Sequence, residues 1–283
     1  MLDRLEGSTG PLSPTEKVIR RLAQEINERP RLKALAQAFN EGPSRWLIEL
    51  LSRSRIHLVG LEKLAALSSD RGVLLAANHR SFFDLHLVAT YFTRHGPPCR
   101  RAYFPVRSSF WYDRLPGAAV NALVTGMVMY PPIFREPHKR QITRQGLDFL
   151  ARELRRPGTL VGMHPEGRRS RGSDPYELLP AEQSFGRVVL KALPQVVPVF
   201  VNGVGDDLAE EAWGSVTRRG SPIIIVYGDP VDVTAFRDLD GTRLKHQIQV
   251  GRGVLDQIRR LAETERSARA VLAPGRGHDP VTS

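Results

Sequence analysis

The sequence predicts an α/β protein with a mixed, mainly parallel sheet flanked by helices and preceded by a short N-terminal helical segment. Apolar runs of strand length, such as Val73–Ala77 and Ile223–Val226, alternate along the chain with stretches of helical length. Strands that alternate with helices favour a layered α/β fold. The length of 283 residues, with 41% hydrophobic and 25% charged residues, suits a core of that kind.

The N-terminal segment, residues 1–54, is predicted to form three helices after a disordered lead of residues 1–13. Ser13 can cap the first helix, Pro14 suits its first position, and Glu16 completes a capping box. The three helices are predicted at 14–28, 31–39 and 43–51.

The third predicted helix, at 43–51, is a candidate for contact with a membrane. Trp46 and its apolar neighbours are flanked by Arg45 and Arg53, a pattern typical of a membrane-interface helix. A helix packed on the main domain would carry the same residues, so both interpretations stay open.

The main domain is predicted at 55–264, followed by a disordered tail at 265–283. Pro198 lies within one predicted strand, which indicates an edge strand or a bend. Strands are predicted at 56–60, 73–77, 101–106, 127–130, 159–163, 196–201 and 221–227. Helices are predicted at 61–67, 85–94, 118–125, 138–156, 184–193 and 242–266.

The charge balance favours an anionic partner. Lys and Arg number 41 against 30 Asp and Glu, a formal net charge of +11. An excess of this size suits nucleic acid, an anionic membrane surface or a phosphorylated substrate, without choosing among them. The single cysteine, Cys99, excludes an intramolecular disulfide. No signal peptide or membrane-spanning run is apparent, so a soluble or monotopic protein is expected.

The first informative stretch is Asn78-His79-Arg80-Ser81-Phe82-Phe83-Asp84, between a predicted strand and a predicted helix. If the helix begins near Ser81, the carboxylate of Asp84 lies in its first turn and can reach back to the imidazole of His79. A carboxylate bound to one ring nitrogen fixes the tautomer and leaves the other nitrogen free as a base. The alternative is a buried core histidine beside a helix-capping aspartate.

The second stretch is His164-Pro165-Glu166-Gly167-Arg168-Arg169-Ser170-Arg171, directly after the strand predicted at 159–163. Glu166 lies just past the carboxyl end of that strand, where open α/β sheets place ligands. Gly167 permits a tight turn, and the arginines suit a phosphate group. An exposed basic loop is the alternative.

Together the two stretches resemble the glycerolipid acyltransferase superfamily, which comprises glycerol-3-phosphate and 1-acylglycerol-3-phosphate (lysophosphatidate) acyltransferases. Its His-x4-Asp signature is matched by His79 and Asp84. Its Phe-Pro-Glu-Gly-x-Arg-Ser signature is matched at 164–170, with His164 in place of Phe. An apolar block with a central proline is matched by Val197-Pro198-Val199, and the resemblance covers roughly 55–230.

The resemblance implies transfer of a fatty acyl group to a hydroxyl of a glycerol-phosphate acceptor in phospholipid synthesis. The donor would be an acyl thioester of coenzyme A or of an acyl carrier protein, and no cofactor or metal is expected. His79 and Asp84 would be catalytic. The protein would be cytoplasmic and peripherally bound to the anionic cytoplasmic face of a membrane. The acceptor and its phosphate would be bound by Glu166, Gly167, Arg168, Arg169 and Arg135.

The chain departs from the family pattern in its second block. Gly126 begins the block, but Pro132 stands where an Arg is usual, and the first Arg is Arg135. The Pro131-Pro132 pair can insert residues that deliver Arg135 to the same place. The Lys that usually stands a dozen or so residues after the third block is also missing from Pro180-Ala181-Glu182-Gln183, although Arg187 follows.

Other functions stay open to different degrees. The acceptor can be another lysophospholipid or a lipid alcohol. A nucleic-acid-binding protein fits the charge, but the sequence has no helix-turn-helix, finger or aromatic ribonucleoprotein motif. A non-catalytic membrane-binding scaffold could share the fold. The lack of Gly-x-Ser-x-Gly disfavours an α/β-hydrolase. A metal held by His79, His86 and Glu166 is conceivable but not expected.

Overall fold

The computed structural model describes residues 12–217 and 220–272. Within them the predicted α/β class is confirmed. The strands are β1 (Ile56–Val59), β2 (Val73–Ala77), β3 (Arg101–Tyr103), β4 (Val106–Arg107), β5 (Pro132–Ile133), β6 (Thr159–Met163), β7 (Gln195–Asn202) and β8 (Ile223–Tyr227). The α-helices are α1 (Pro14–Glu28), α2 (Pro30–Phe39), α3 (Arg45–Ser52), α4 (Asp84–His95), α5 (Ser108–Trp111), α6 (Leu115–Thr125), α7 (Arg140–Glu153), α8 (Gln183–Ala192), α9 (Leu208–Thr217) and α10 (Leu244–Leu272).

The main sheet has six strands in the order β1-β8-β7-β2-β6-β3. Neighbouring strands are parallel except for β7 and β8, which makes the sheet mixed and mainly parallel as predicted. Every residue of β2 is buried, as expected for a central strand covered on both faces. Because β2, β6 and β7 are parallel neighbours, the loops that follow them meet at one edge of the sheet. Both informative stretches lie at that edge.

Pro198 lies inside the sheet, so of the two alternatives predicted for its strand, an edge position or a bend, the edge position is wrong. β7 has β2 on one side and β8 on the other. The carbonyl of Pro198 accepts a hydrogen bond from the N–H of Gly228 at 2.9 Å, just beyond the end of β8. Its nitrogen therefore faces the side where the neighbouring chain turns away, and the sheet loses little by the missing donor.

The N-terminal segment forms three helices as predicted, although a short π-helix (Asn40–Ser44) precedes α3. The capping box of α1 is present, because Ser13 and Glu16 each accept a hydrogen bond from the other's backbone N–H. Lys33 of α2 is buried and donates to the carbonyl of Ala102 on β3. α2 is therefore packed onto the edge strand β3.

Two predicted elements are corrected. Residues 127–130 do not form a strand, because Gly126 and Met127 both adopt positive φ and turn the chain after α6. The disordered tail was predicted to begin at residue 265. Instead α10 continues to Leu272, and its Glu265 is buried against Tyr176. The sequence analysis also missed α9. The lead at 1–11 and the tail at 273–283 lie outside the described residues.

Among the described residues, no helix combines the length and apolar character that a membrane crossing needs.

Candidate active site

The predicted contact between His79 and Asp84 is present. Nδ1 of His79 lies 3.3 Å from Oδ2 of Asp84, the first residue of α4. The same oxygen accepts from the backbone N–H groups of Arg80 at 2.6 Å and Ser81 at 2.7 Å. The turn before α4 thus holds the carboxylate. Asp84 is buried, whereas the His79 side chain keeps 19% of its surface exposed and can be reached by a substrate.

The pKa values of this pair suit a base. Burial and, to a smaller extent, the nearby guanidinium of Arg169 together lower the pKa of His79 to about 3. Burial raises the pKa of Asp84 to about 6. At neutral pH a neutral imidazole therefore lies beside a carboxylate. With Nδ1–H donating to Asp84, Nε2 carries the free lone pair that a general base needs.

His164 stacks on His79. The two ring centroids are 3.7 Å apart and the planes differ by 7°. Nδ1 of His164 donates to the carbonyl of Ala77 at 2.9 Å, and burial lowers the pKa of His164 to about 3. From the sequence, His164 was apparent only as a departure from the usual Phe. Its position directly after β6 was the available signal that it would meet the residue following β2.

Glu166, in the second motif, is hydrogen-bonded to His79 in the first. Its side chain is buried, with one oxygen accepting from the N–H of His79 at 2.8 Å and the other from the N–H of Leu179 at 2.6 Å. Burial raises its pKa to about 7. Ser170 also donates its N–H to the carbonyl of His79 at 2.9 Å. Both carboxylate oxygens of Glu166 are therefore occupied by backbone N–H groups, whereas the resemblance implied a role in binding the acceptor.

Gly167 has a structural reason to be glycine. Its φ is +63°, and a Cβ at this position would lie 2.5 Å from Cγ of Glu182. Its carbonyl accepts from Nη2 of Arg135 at 3.3 Å. Arg135 therefore reaches the second motif despite Pro132 in its block. Arg168 is exposed and has no polar partner within the described part of the chain.

The guanidinium of Arg169 already contacts two other side chains. Its Nη1 pairs with Oδ2 of Asp206, and its guanidinium lies 3.7 Å from the ring centroid of Phe82. The other oxygen of Asp206 accepts from the N–H of Phe82 at 3.0 Å. Neither Asp206 nor Phe82 was predicted from the sequence as a site residue. The one signal for Asp206 was its place in the loop after β7, which ends at the same sheet edge.

Arg80, inside the first motif, supports the loop of the second. It donates to the carbonyls of Gly172 at 2.8 Å and Asp174 at 3.1 Å, and to Oγ of Ser170 at 3.1 Å. These contacts assign Arg80 to holding the loop.

Three side chains are close enough to suggest a metal. Within the described ranges, ligand atoms of His79, Asp84 and His164 lie within 4.8 Å of one another. An imidazole binds a metal through a lone pair in its ring plane, so two parallel stacked rings do not aim at one ion. His86 is buried with Nε2 3.3 Å from Oγ of Ser44, so the considered set of His79, His86 and Glu166 is not assembled.

Comparison with known proteins agrees with the motifs. A family model described as Acyltransferase matches residues 55–202, just over half of the chain. No curated protein matches the sequence. The solved structures that resemble this chain include the 1-acyl-sn-glycerophosphate (LPA) acyltransferase PlsC from Thermotoga maritima. The identity is 18%, with 87% of this chain and 83% of that chain covered at a TM-score of 0.42.

Proposed function

This chain belongs to the acyltransferase family, and on that premise we propose that it transfers a fatty acyl group to a hydroxyl of a glycerol-phosphate acceptor. The acceptor is lysophosphatidate or glycerol-3-phosphate, and the donor is an acyl thioester of coenzyme A or of an acyl carrier protein. The reaction serves phospholipid synthesis. The observation that carries the proposal is a neutral imidazole, oriented by Asp84, beside the arginine-rich loop after β6.

The reaction needs a base and no covalent nucleophile, because a thioester is already activated. Nε2 of His79 takes the proton from the acceptor hydroxyl as its oxygen attacks the thioester carbonyl carbon. The tetrahedral intermediate collapses, the carbon–sulfur bond breaks, and the leaving thiolate recovers the proton from His79. The Asp84 carboxylate stabilises the transient imidazolium. General-base help of this kind contributes roughly 10²–10⁴-fold.

The acceptor phosphate is bound by arginines at the mouth of the site. Arg135 and Arg168 are exposed, and Arg135 already contacts the carbonyl of Gly167. Arg169 can join them once its ion pair with Asp206 is broken. In this proposal Glu166 and Gly167 shape and hold the loop that presents the arginines.

We further propose that α3 and α9 bring the enzyme onto the anionic cytoplasmic face of a membrane. Trp46 on α3 and Trp213 on α9 are 66% and 70% exposed. The two helices contact each other, with Oγ of Ser215 on α9 donating to the carbonyl of Leu51 on α3. Exposed Trp side chains beside Arg45 and Arg53 suit a lipid interface with anionic headgroups.

This surface lies near the catalytic edge of the sheet. The register pairs Ile56 with Ile223 and Asn202 with Ile224. The start of β1, which follows α3, is therefore at the same edge as the end of β7. A lipid acceptor in the bilayer would meet the site without crossing the protein.

A second candidate is transfer to a less anionic acceptor, such as another lysophospholipid or a lipid alcohol. Two observations favour it: Pro132 replaces the usual arginine, and Arg169 is neutralised by Asp206.

The test is free-thiol release from palmitoyl-coenzyme A by purified protein, with the product identified by mass. Glycerol-3-phosphate, lysophosphatidate, lysophosphatidylcholine and monoacylglycerol are offered separately, and His79→Ala is the control. Release that requires a phosphomonoester acceptor and His79 supports the proposal. Release only with the other two acceptors supports the second candidate. No release with coenzyme A or carrier-protein thioesters and any acceptor contradicts both.

A further inference from the structure

One carboxylate at the mouth of the site binds two hydrogen-bond donors that lie beside the base. Asp206 accepts from the Arg169 guanidinium through one oxygen and from the Phe82 backbone N–H through the other. A guanidinium and a backbone N–H directed at the same place are the donors that proteins use for phosphate oxygens. The Asp206 carboxylate therefore stands where an anion is preferred.

The two partners of the ion pair are held to different degrees. The Arg169 side chain is 15% exposed and stacks on Phe82, which fixes the guanidinium. The Asp206 side chain is 48% exposed and belongs to the irregular loop between β7 and α9. An ion pair that is open to solvent on one side contributes little stability. The aspartate can therefore leave while the arginine stays in place.

We propose that Asp206 is a specificity-determining residue that occupies the phosphate site of the empty enzyme and is displaced by the phosphomonoester of the acceptor. This inference rests on the proposed function for the identity of the acceptor. The arriving phosphate takes over both donors, from Arg169 and from Phe82. Asp206 thus competes with every acceptor that needs Arg169, and a neutral acceptor leaves the pair intact.

The key variant is Asp206→Asn, which removes the negative charge and keeps an oxygen for the Phe82 N–H. Calorimetry measures the binding of glycerol-3-phosphate, and of glycerol as the uncharged ligand, to the full chain. We expect the Kd for glycerol-3-phosphate to fall about fivefold, because the exposed ion pair no longer has to be broken. Turnover assays should show a matching fall in acceptor KM, with the thioester KM unchanged.

Two controls separate a local effect from a general one. Asp229→Asn makes the same charge change after β8, at the opposite end of the sheet, where Asp229 pairs with Lys63. It should leave the Kd unchanged. In an Arg169→Ala background, Asp206→Asn should bring no further gain, because the competition acts through Arg169.

The outcomes distinguish this inference from the proposed function. An unchanged or higher Kd in Asp206→Asn, a gain that persists without Arg169, or no glycerol-3-phosphate binding by any variant would overturn the inference. Tighter phosphate binding in Asp206→Asn by a protein that shows no acyl transfer would support the phosphate site and contradict the proposed reaction.

Discussion

The imidazole of His164 lies flat against that of His79, with 3.7 Å between the ring centroids and 7° between the planes. Asp84 fixes the direction of the His79 ring through Nδ1, and His164 limits its tilt from one face. His164 is itself bound to β2 through the carbonyl of Ala77. The imidazole of His79 is therefore held by contacts from two neighbouring strand–loop junctions.

The stack predicts different results for two substitutions of His164. His164→Phe keeps a flat ring and should retain kcat within about threefold of the parent. His164→Ala opens a cavity beside the base and should lower both kcat, by about tenfold, and Tm, by several degrees. Equal losses in both variants would instead show that the imidazole nitrogens of His164 take part in the reaction.

Loss of the base or of its carboxylate should abolish most turnover. His79→Ala and Asp84→Asn are each expected to lower kcat by roughly 10²–10⁴-fold, because one removes the base and the other its orientation. Thermal unfolding should show that both variants fold. His95→Ala, which changes an exposed histidine at the other end of α4, is the matched control. Full activity of His79→Ala would remove the general-base assignment.

The pH dependence of kcat/KM should report Asp84. With a pKa raised to about 6, Asp84 loses its charge as pH falls through 6, while His79, with a pKa near 3, stays neutral. Activity should therefore decline below about pH 6. The residual activity of Asp84→Asn should lack this decline, and an unchanged acid limb in that variant would assign it to another group.

The raised pKa of Asp84 also makes the free energy of unfolding depend on pH. The folded protein binds the Asp84 proton more tightly than the unfolded chain does. Asp84 therefore costs stability as pH rises from about 4 to about 6, which urea unfolding at several pH values can measure.

Arg135 should matter for the acceptor and not for the donor. Arg135→Ala is expected to raise the KM for glycerol-3-phosphate about tenfold while the thioester KM changes less than about twofold, because a charged hydrogen bond to phosphate is lost. Arg252→Ala, an exposed arginine on α10, controls for the loss of one positive charge. A rise in both KM values would place Arg135 outside the acceptor site.

The membrane surface can be tested by vesicle sedimentation. Trp46→Ser with Trp213→Ser should reduce binding to vesicles containing phosphatidylglycerol at least about tenfold, since two interfacial aromatic contacts are lost. Leu244→Ser removes an exposed apolar side chain at the start of α10 and should bind like the parent. Unchanged binding by the double variant would place the lipid contact elsewhere.

The local geometry of the site could be predicted from the sequence alone. His79 and Asp84 are five residues apart across a strand-to-helix turn, so their contact depends mainly on local backbone geometry. The position of Glu166 and Gly167 at the end of a buried strand could also be predicted, because the apolar run that forms the strand directly precedes them. The alternation of strands and helices likewise predicted the α/β class, because the spacing of apolar residues along the chain indicates each type of element.

Only the tertiary structure determined which strand–loop junctions lie next to one another. The sequence does not state that β2 lies between β6 and β7, and this order brings His164 onto His79 and Asp206 onto Arg169. It also placed Pro198 inside the sheet and directed both carboxylate oxygens of Glu166 at backbone N–H groups. Such contacts join residues far apart in the chain. They depend on how whole strands pair and pack, a property that no short stretch of sequence carries by itself.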